Sequence, residues 1–377
     1  MANDTLAAKT DEAAQPGSPV TAAAHLAPAV DETLRRFLTA EIALLDTVDP
    51  ALGGFARIAQ DAVLAGGKRL RPTFGYWGWR GLVGPQESVE PVLPALAALE
   101  LMHAFALLHD DVMDASATRR GRPTAHRLFA AEHVAGARRG DAGHFGNAAA
   151  VLAGDLCLVW ADQLLATTPL PTATVFAVRA CYDRMRVEAV AGQYLDILGE
   201  ADPDSWTVER SLVVARHKTA SYTVQRPLQY GAALADRSVC CGGACRGDRH
   251  AAVSAAYHRY GLAVGEAFQL RDDLLGVYGD PAVTGKPAGD DLITGKPTAL
   301  LLLARELADR AQAAALDGGD VDAARDAIAE TGAVARVEDL IQQRLAEAVE
   351  CISDAPIDAT VRSALTDLAV SAGDRAA

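Results

Sequence analysis

The chain has 377 residues and carries 35 Lys plus Arg against 49 Asp plus Glu, a formal net charge of −14. That length can bury a core without disulfide staples, and the acidic balance argues against nucleic acid and anionic membrane surfaces as partners. Half of the residues are apolar but only 5% are aromatic, which with recurrent Ala and Leu favours packed helices over a β-sandwich, so the expected fold class is all-α.

Residues 1–29 contain acidic side chains and no apolar signal-peptide core, and they are expected to form a disordered tail. Asp31 is expected to cap a first helix in which Leu34, Phe37, Leu38, Ile42 and Leu45 recur at helical spacing. Further helices are expected over about 56–64, 94–114, 148–166, 174–198, 208–235, 252–277, 298–315, 321–330 and 334–352. No run alternates like a half-buried strand. The Gly/Arg-rich stretches 136–146 and 242–248 read as loops too short to be linkers, so one domain over 30–370 is expected. Asp155 and Asp162 interrupt the apolar run 148–165, leaving fewer than the ~18 clean residues of a spanning helix, and no transmembrane segment is expected. The six cysteines form no even framework, which suits reduced thiols in a cytoplasm. Cys240, Cys241 and Cys245, with only His250 near, read as a loop insertion rather than a metal site.

Two acidic clusters sit on long apolar helices. In His109-Asp110-Asp111-Val112-Met113-Asp114, Asp110 and Asp114 are four apart and His103 seven before Asp110, so all three share a helix face. Such a carboxylate pair can hold magnesium, which binds through one or two carboxylates plus substrate phosphates. A merely solvated helix end is the rival reading, but acidic groups at a helix C-terminus oppose its dipole. The second cluster, Gln269-Leu270-Arg271-Asp272-Asp273, repeats the arrangement. Basic residues follow glycines in Gly66-Gly67-Lys68-Arg69-Leu70-Arg71-Pro72 and crowd in Arg119-Arg120-Gly121-Arg122-Pro123-Thr124. Glycine lets backbone amides approach an anion, and Lys and Arg supply charge and bidentate donors. Lys218-Thr219, Lys286 and Lys296 could serve the same anion.

Six motifs in order, GGKRLRP at Gly66, HDDVMD at His109, RRGRPT at Arg119, GQYLD at Gly192, KT at Lys218, and FQLRDDLLG through GDDLITGK from Phe268 to Lys296, make the chain resemble the trans-polyprenyl diphosphate synthases, the family of farnesyl and geranylgeranyl diphosphate synthases. The resemblance implies a single large helical bundle of the isoprenoid synthase type around a central apolar pocket. It implies magnesium, three ions with substrate bound, on Asp110 and Asp114 from one side and Asp272 from the other, with Asp273 supporting. By the same resemblance Lys68, Arg71, His103 and Arg120 hold isopentenyl diphosphate. Arg119, Lys218, Thr219, Gln269, Lys286 and Lys296 grip an allylic diphosphate, Lys218 counting among the catalytic groups with the metal-binding aspartates. A homodimer is implied as well. One position departs from the pattern: Gly276 stands four after Asp272, where the second motif usually ends in Asp.

The expected activity is therefore that of a short-chain prenyltransferase. A terpene cyclase would not need the isopentenyl-binding set, and a noncatalytic subunit of a heteromeric synthase would leave the retained aspartates without purpose. In this family a bulky residue below the first acidic motif stops elongation. Ala106, four before Asp110, leaves the path open, and Phe105, turned ~100° further round the helix, is placed to form a floor beside it or to serve as ordinary core. Geranylgeranyl diphosphate is the expected main product, with farnesyl or a longer polyprenyl diphosphate as alternatives.

Overall fold

The computed structural model describes residues 19–235, 248–279 and 289–373. Among these, helices carry the fold, and the only strands are the two-residue pair β1 (Thr118–Arg119) and β2 (Arg122–Pro123), a hairpin built from the Arg-rich motif. The all-α expectation holds.

Helix α1 spans Pro19–Val48. Its apolar stripe runs Leu26, Val30, Leu34, Leu38 and Ile42, all buried and each one turn from the last. Asp31 therefore lies inside the helix rather than at its cap, and it accepts from Arg69 Nε at 2.8 Å. Of the expected tail, residues 19–29 are helical and residues 1–18 lie outside the described residues. Helix α2 (Pro50–Leu64) follows, with Asp49 capping Ala51 N at 2.8 Å and Pro50 in the first turn. The next helix, α3 (Leu70–Arg80), was not expected: every residue from Arg71 to Trp79 is buried, so it has no polar face to produce a period.

At the centre lies α4 (Leu93–Met113), with all of Ala95 to Met102 buried. It packs most extensively on α6 (Ala142–Ala166), which begins in the stretch read as a loop because Asp141 caps it through His144 N at 2.6 Å. Helix α5 (Ala125–Ala135) covers their end. By length and composition Glu90–Met113 and Ala142–Ala166 could each cross a membrane. Here the first is the core helix, and the second carries Asp162, which pairs with Arg179 and Arg186 of α7 (Thr172–Ala201) at 3.1 Å each.

The expected helix 208–235 is three segments: α8 (Val208–Val214), a π-helical run Ala215–Gln225, and α9 (Arg226–Leu234). The wider π turn lies between α7 and the long α10 (Asp248–Tyr278). A Cβ on Gly192 of α7 would overlap Lys218 N, and one on Gly265 of α10 would overlap Ala220, so glycines on both flanks admit this backbone. Such π turns concentrate at functional sites.

A short α11 (Asp290–Thr294) leads to α12 (Ala299–Leu307) and α13 (Arg310–Asp317). The expected single helix 298–315 breaks before Asp309, which accepts from Ala311 N and Gln312 N while Gln312 returns a bond to its backbone. Helices α14 (Val321–Thr331), α15 (Ala333–Ser353) and α16 (Ala359–Gly373) close the bundle, with α15 packed along α10.

Candidate active site

Helices α4, α7, α10 and the π segment surround a cavity of 1030 Å³. Its walls include Lys68, Arg71, His103, Phe105, Ala106, Asp110, Asp114, Arg119, Arg120, Lys218, Thr219, Gln269, Asp272, Asp273 and Lys296, so residues far apart in sequence converge on one space. Lys286 and the Cys240, Cys241, Cys245 stretch lie outside the described residues.

One wall is the C-terminal end of α4. Asp110 accepts from Lys218 Nζ at 3.2 Å and Arg119 Nη2 at 3.1 Å, and Arg119 reaches Asp111 at 2.6 Å. Burial pushes the Asp110 carboxyl up, but Lys218, Arg119 and Lys296 together outweigh it and hold it below the usual carboxylate range. Asp114, which caps the helix one turn on, has no such pairing among the described residues. Withdrawal from bulk water, reinforced by the Asp110 charge, pushes it up to about 6.

The opposite wall is α10. Gln269 Nε2 donates to Asp273 at 2.9 Å, and Thr219 Oγ1 donates to Gln269 Oε1 at 2.6 Å, which fixes the amide's orientation from the π segment. Burial, only partly offset by the Gln269 bond and reinforced by Asp291 and Asp272, pushes Asp273 up to about 7.

A third corner is basic. Arg69, in a left-handed turn with φ 47°, anchors the glycine-rich loop through Glu100 at 2.7 Å, Asp31 and the Val63 carbonyl. Arg71 reaches Thr223 Oγ1 at 2.9 Å and lays its guanidinium 4.1 Å from the centre of the Tyr222 ring. Its Nε is buried with no hydrogen-bond partner among the described residues, an open donor beside the cavity. His103 Nδ1 lies 3.0 Å from Tyr222 OH, and burial followed by Arg71, Arg120 and Arg119 lowers its pKa well below 6.5, so the ring is neutral. Arg120 bonds the Gly66 carbonyl and ties the β-hairpin to this corner.

Sequence reasoning quoted GQYLD without giving its aspartate a task. The structure does: Asp196 accepts from Lys218 at 2.5 Å and Lys296 at 2.7 Å and holds two ammonium groups on the cavity wall. Tyr222, Thr223 and Asp291 are further wall residues that spacing alone did not reveal. Tyr222 falls four after Lys218, one α-helical turn, which was the available signal.

The donor set suits magnesium. Among the described residues no three acidic, His or Cys side chains converge on one point, yet carboxylates face the cavity from both sides. Magnesium takes one or two carboxylates and completes its shell with phosphates and water, so Asp110 with Asp114 and, opposite, Asp272 could each hold such an ion. The crowding that raises Asp114 and Asp273 is what a bound dication would relieve.

The family model for polyprenyl synthetases matches residues 54–328. Geranylgeranyl diphosphate synthase of Mycobacterium tuberculosis is 34% identical over 276 residues, 70% of this chain and 69% of the relative. Geranylfarnesyl diphosphate synthase of Aeropyrum pernix is 30% identical over 312 residues, 80% of this chain and 88% of the relative. A solved geranylgeranyl pyrophosphate synthase from Corynebacterium glutamicum, complexed with isoprenyl diphosphate and magnesium, superposes with a TM-score of 0.85 at 38% identity, covering 93% of this chain and 99% of that one. Together with the two acidic walls and the basic corner, these likenesses show that the chain belongs to the polyprenyl synthetase family of all-helical prenyl diphosphate synthases, which are transferases.

Proposed function

We propose that the chain joins isopentenyl diphosphate to an allylic diphosphate and that its main product is geranylgeranyl diphosphate. The observation that carries the reading is the single cavity in which two facing carboxylate walls adjoin a separate basic corner, room for two diphosphates with different grips. Arg119, Lys218 and Lys296, already gathered on Asp110 and Asp196, hold the allylic diphosphate. Lys68, Arg71, Arg120 and His103 hold isopentenyl diphosphate, the open Arg71 Nε meeting a phosphate oxygen. Lys286, from its motif, belongs with the allylic grip.

The allylic C–O bond breaks and its electron pair leaves with diphosphate. The isopentenyl double bond attacks the allylic carbon, and a proton then passes to the departing diphosphate. Magnesium, which Asp110, Asp114 and Asp272 would hold, would supply the positive charge that makes the diphosphate a competent leaving group. Lys218 and Lys296, fixed by Asp196, steady the same developing charge. Thr219 and Gln269 line the path, and Phe105 and Phe268 belong to walls that keep water from the cation.

Product length rests on α4. Ala106 leaves the way past the metal wall open, while the Phe105 ring, packed edge-on against His109 at 4.8 Å, stands beside it as a floor. The two curated relatives are named for different products, so the family alone does not decide the length. The products formed from dimethylallyl, geranyl or farnesyl diphosphate with labelled isopentenyl diphosphate test the proposal, and a main product of twenty carbons is expected.

A homodimer is part of the proposal. Leu152 and Val159 on α6, and Val187, Val190 and Tyr194 on α7, recur at helical spacing yet are exposed, Leu152 by 60% and Val187 by 68%. Asp162 bridges the two helices through Arg179 and Arg186, and burying these exposed apolar side chains would suit a second copy. Cys157, Cys181 and Cys351 are free thiols, which suits a reducing cytoplasm.

A further inference from the structure

The π-helical run Ala215–Gln225 is held from two sides by carboxylates that do not line the cavity. From α10, the buried Glu266 takes Arg216 Nε on one oxygen and Arg344 Nε of α15 on the other, the latter at 2.8 Å. From α7, Glu188 accepts from Ser221 Oγ and from Arg226, whose guanidinium reaches both carboxylate oxygens, with Nε at 2.8 Å.

The run presents two pairs of side chains to the cavity. Lys218 and Thr219 come first, Lys218 on Asp110 and Asp196 and Thr219 on Gln269. Tyr222 and Thr223 come next, and they meet His103 and Arg71 in the basic corner. Arg216 stands two residues before the first pair, and Ser221 immediately before the second. Each pair therefore has its own carboxylate behind it. A π turn is uncommon beyond a single turn, so a run of eleven residues calls for support from outside its own backbone. Gly192, Gly261 and Gly265 leave it room, but room does not fix its rotation. A buried charge pair does, because Glu266 is compensated only while its arginines stay beside it.

We infer that Glu266 and Glu188 are positioning residues that set the two diphosphate grips separately: Glu266, through Arg216, aims Lys218 and Thr219 at the allylic diphosphate, and Glu188, through Ser221 and Arg226, sets Tyr222 and Thr223 and with them Arg71 and His103. This role rests on the prenyl-transfer reading and deepens it by naming what stands behind each grip. Neither carboxylate touches substrate.

The test measures both KM values in the full-length protein. Glu266→Gln is expected to raise the KM for the allylic diphosphate about tenfold, the scale of one charge-assisted hydrogen bond lost, and to leave that for isopentenyl diphosphate near wild type. Glu188→Gln is expected to do the reverse. A loss of stability alone would lower the amount of active protein without splitting the two KM values. Arg344→Met serves as the control, since it removes a partner of Glu266 that does not belong to the run, and it is expected to shift neither KM. Equal changes in both KM values, no change in either, or an allylic shift in Arg344→Met as large as that in Glu266→Gln overturns the inference. Lys218→Ala and Arg71→Ala separate it from the reading beneath it. If these two split the KM values and the glutamine variants do not, the positioning role falls and the prenyl-transfer reading stands; if these two do not split them, the division of the grips falls as well. Should a glutamine variant fail to fold, Arg216→Gln and Ser221→Ala decide: the same crossed pattern in milder form supports the inference, and unchanged KM values overturn it.

Discussion

Asp110 and Asp273, one from each acidic wall, set the same residue type in opposite electrostatic surroundings. On α4, Asp110 meets Lys218 and Arg119 within 3.2 Å and its carboxyl is held below the usual range. On α10, Asp273 is bonded to the neutral amide of Gln269 and pushed up to about 7. On the proposed reading Asp110 already gathers basic groups that would grip a diphosphate and would then trade carboxylate for phosphate. Asp273, like Asp114 on α4, is crowded by burial and neighbouring carboxylates, a strain that a cation arriving with substrate would relieve. The neighbours, rather than the aspartates themselves, set the difference.

Removing the walls themselves is expected to have the largest effect. Asp110→Ala or Asp272→Ala should lower kcat by about a thousandfold or more, since preorganised electrostatics supply the largest catalytic term, and chelation with EDTA should abolish turnover in steady-state assays. Full activity in either variant would end the two-wall account. The basic corner sharpens the comparison because it belongs to neither wall. Loss of one charge-assisted hydrogen bond costs about 1.5–3 kcal/mol, so Arg71→Ala should raise the KM for isopentenyl diphosphate by about tenfold to a hundredfold and leave the allylic KM nearly unchanged. Equal shifts in both would show that the two grips are divided wrongly.

Glu100→Ala tests what positions that corner. Its ion pair with Arg69 is 4% exposed on both sides, and breaking a buried pair costs about 3–5 kcal/mol, so thermal unfolding should occur well below the wild-type temperature. An unchanged melting temperature would remove Arg69 as the anchor of the loop. The smallest change in rate is expected from Phe105→Ala, which touches no diphosphate ligand. Its products should lengthen, read by chromatography, while turnover of the first condensation stays close to wild type. A main product of thirty or more carbons from the unaltered protein would remove Phe105 as the floor.

Much of this was legible in the sequence because charge on an apolar helix is conspicuous. Asp110, Asp114 and Asp272 and, from the basic motifs, Lys68, Arg71, Arg119, Arg120, Lys218 and Lys296 stand out against Ala and Leu, and all of them line one cavity. What escaped was whatever lacked periodicity or depended on packing. Helix α3 is buried all round and so shows no amphipathic pattern. The start of α1 was missed because Asp31, a plausible cap, proved to be the partner of Arg69 across the bundle. The π segment reads as ordinary helix, since its widening follows from glycines on two other helices. Asp291 stands in a motif without a task of its own, and its place on the cavity wall is visible only where α11 meets α10.

The most direct test of the central claim is product chromatography with purified protein, an allylic diphosphate, labelled isopentenyl diphosphate and magnesium. A labelled twenty-carbon diphosphate that forms only when both substrates and the metal are present is the predicted result. Release of inorganic diphosphate from the allylic substrate without isopentenyl diphosphate, or no product unless a second kind of chain is added, would contradict it.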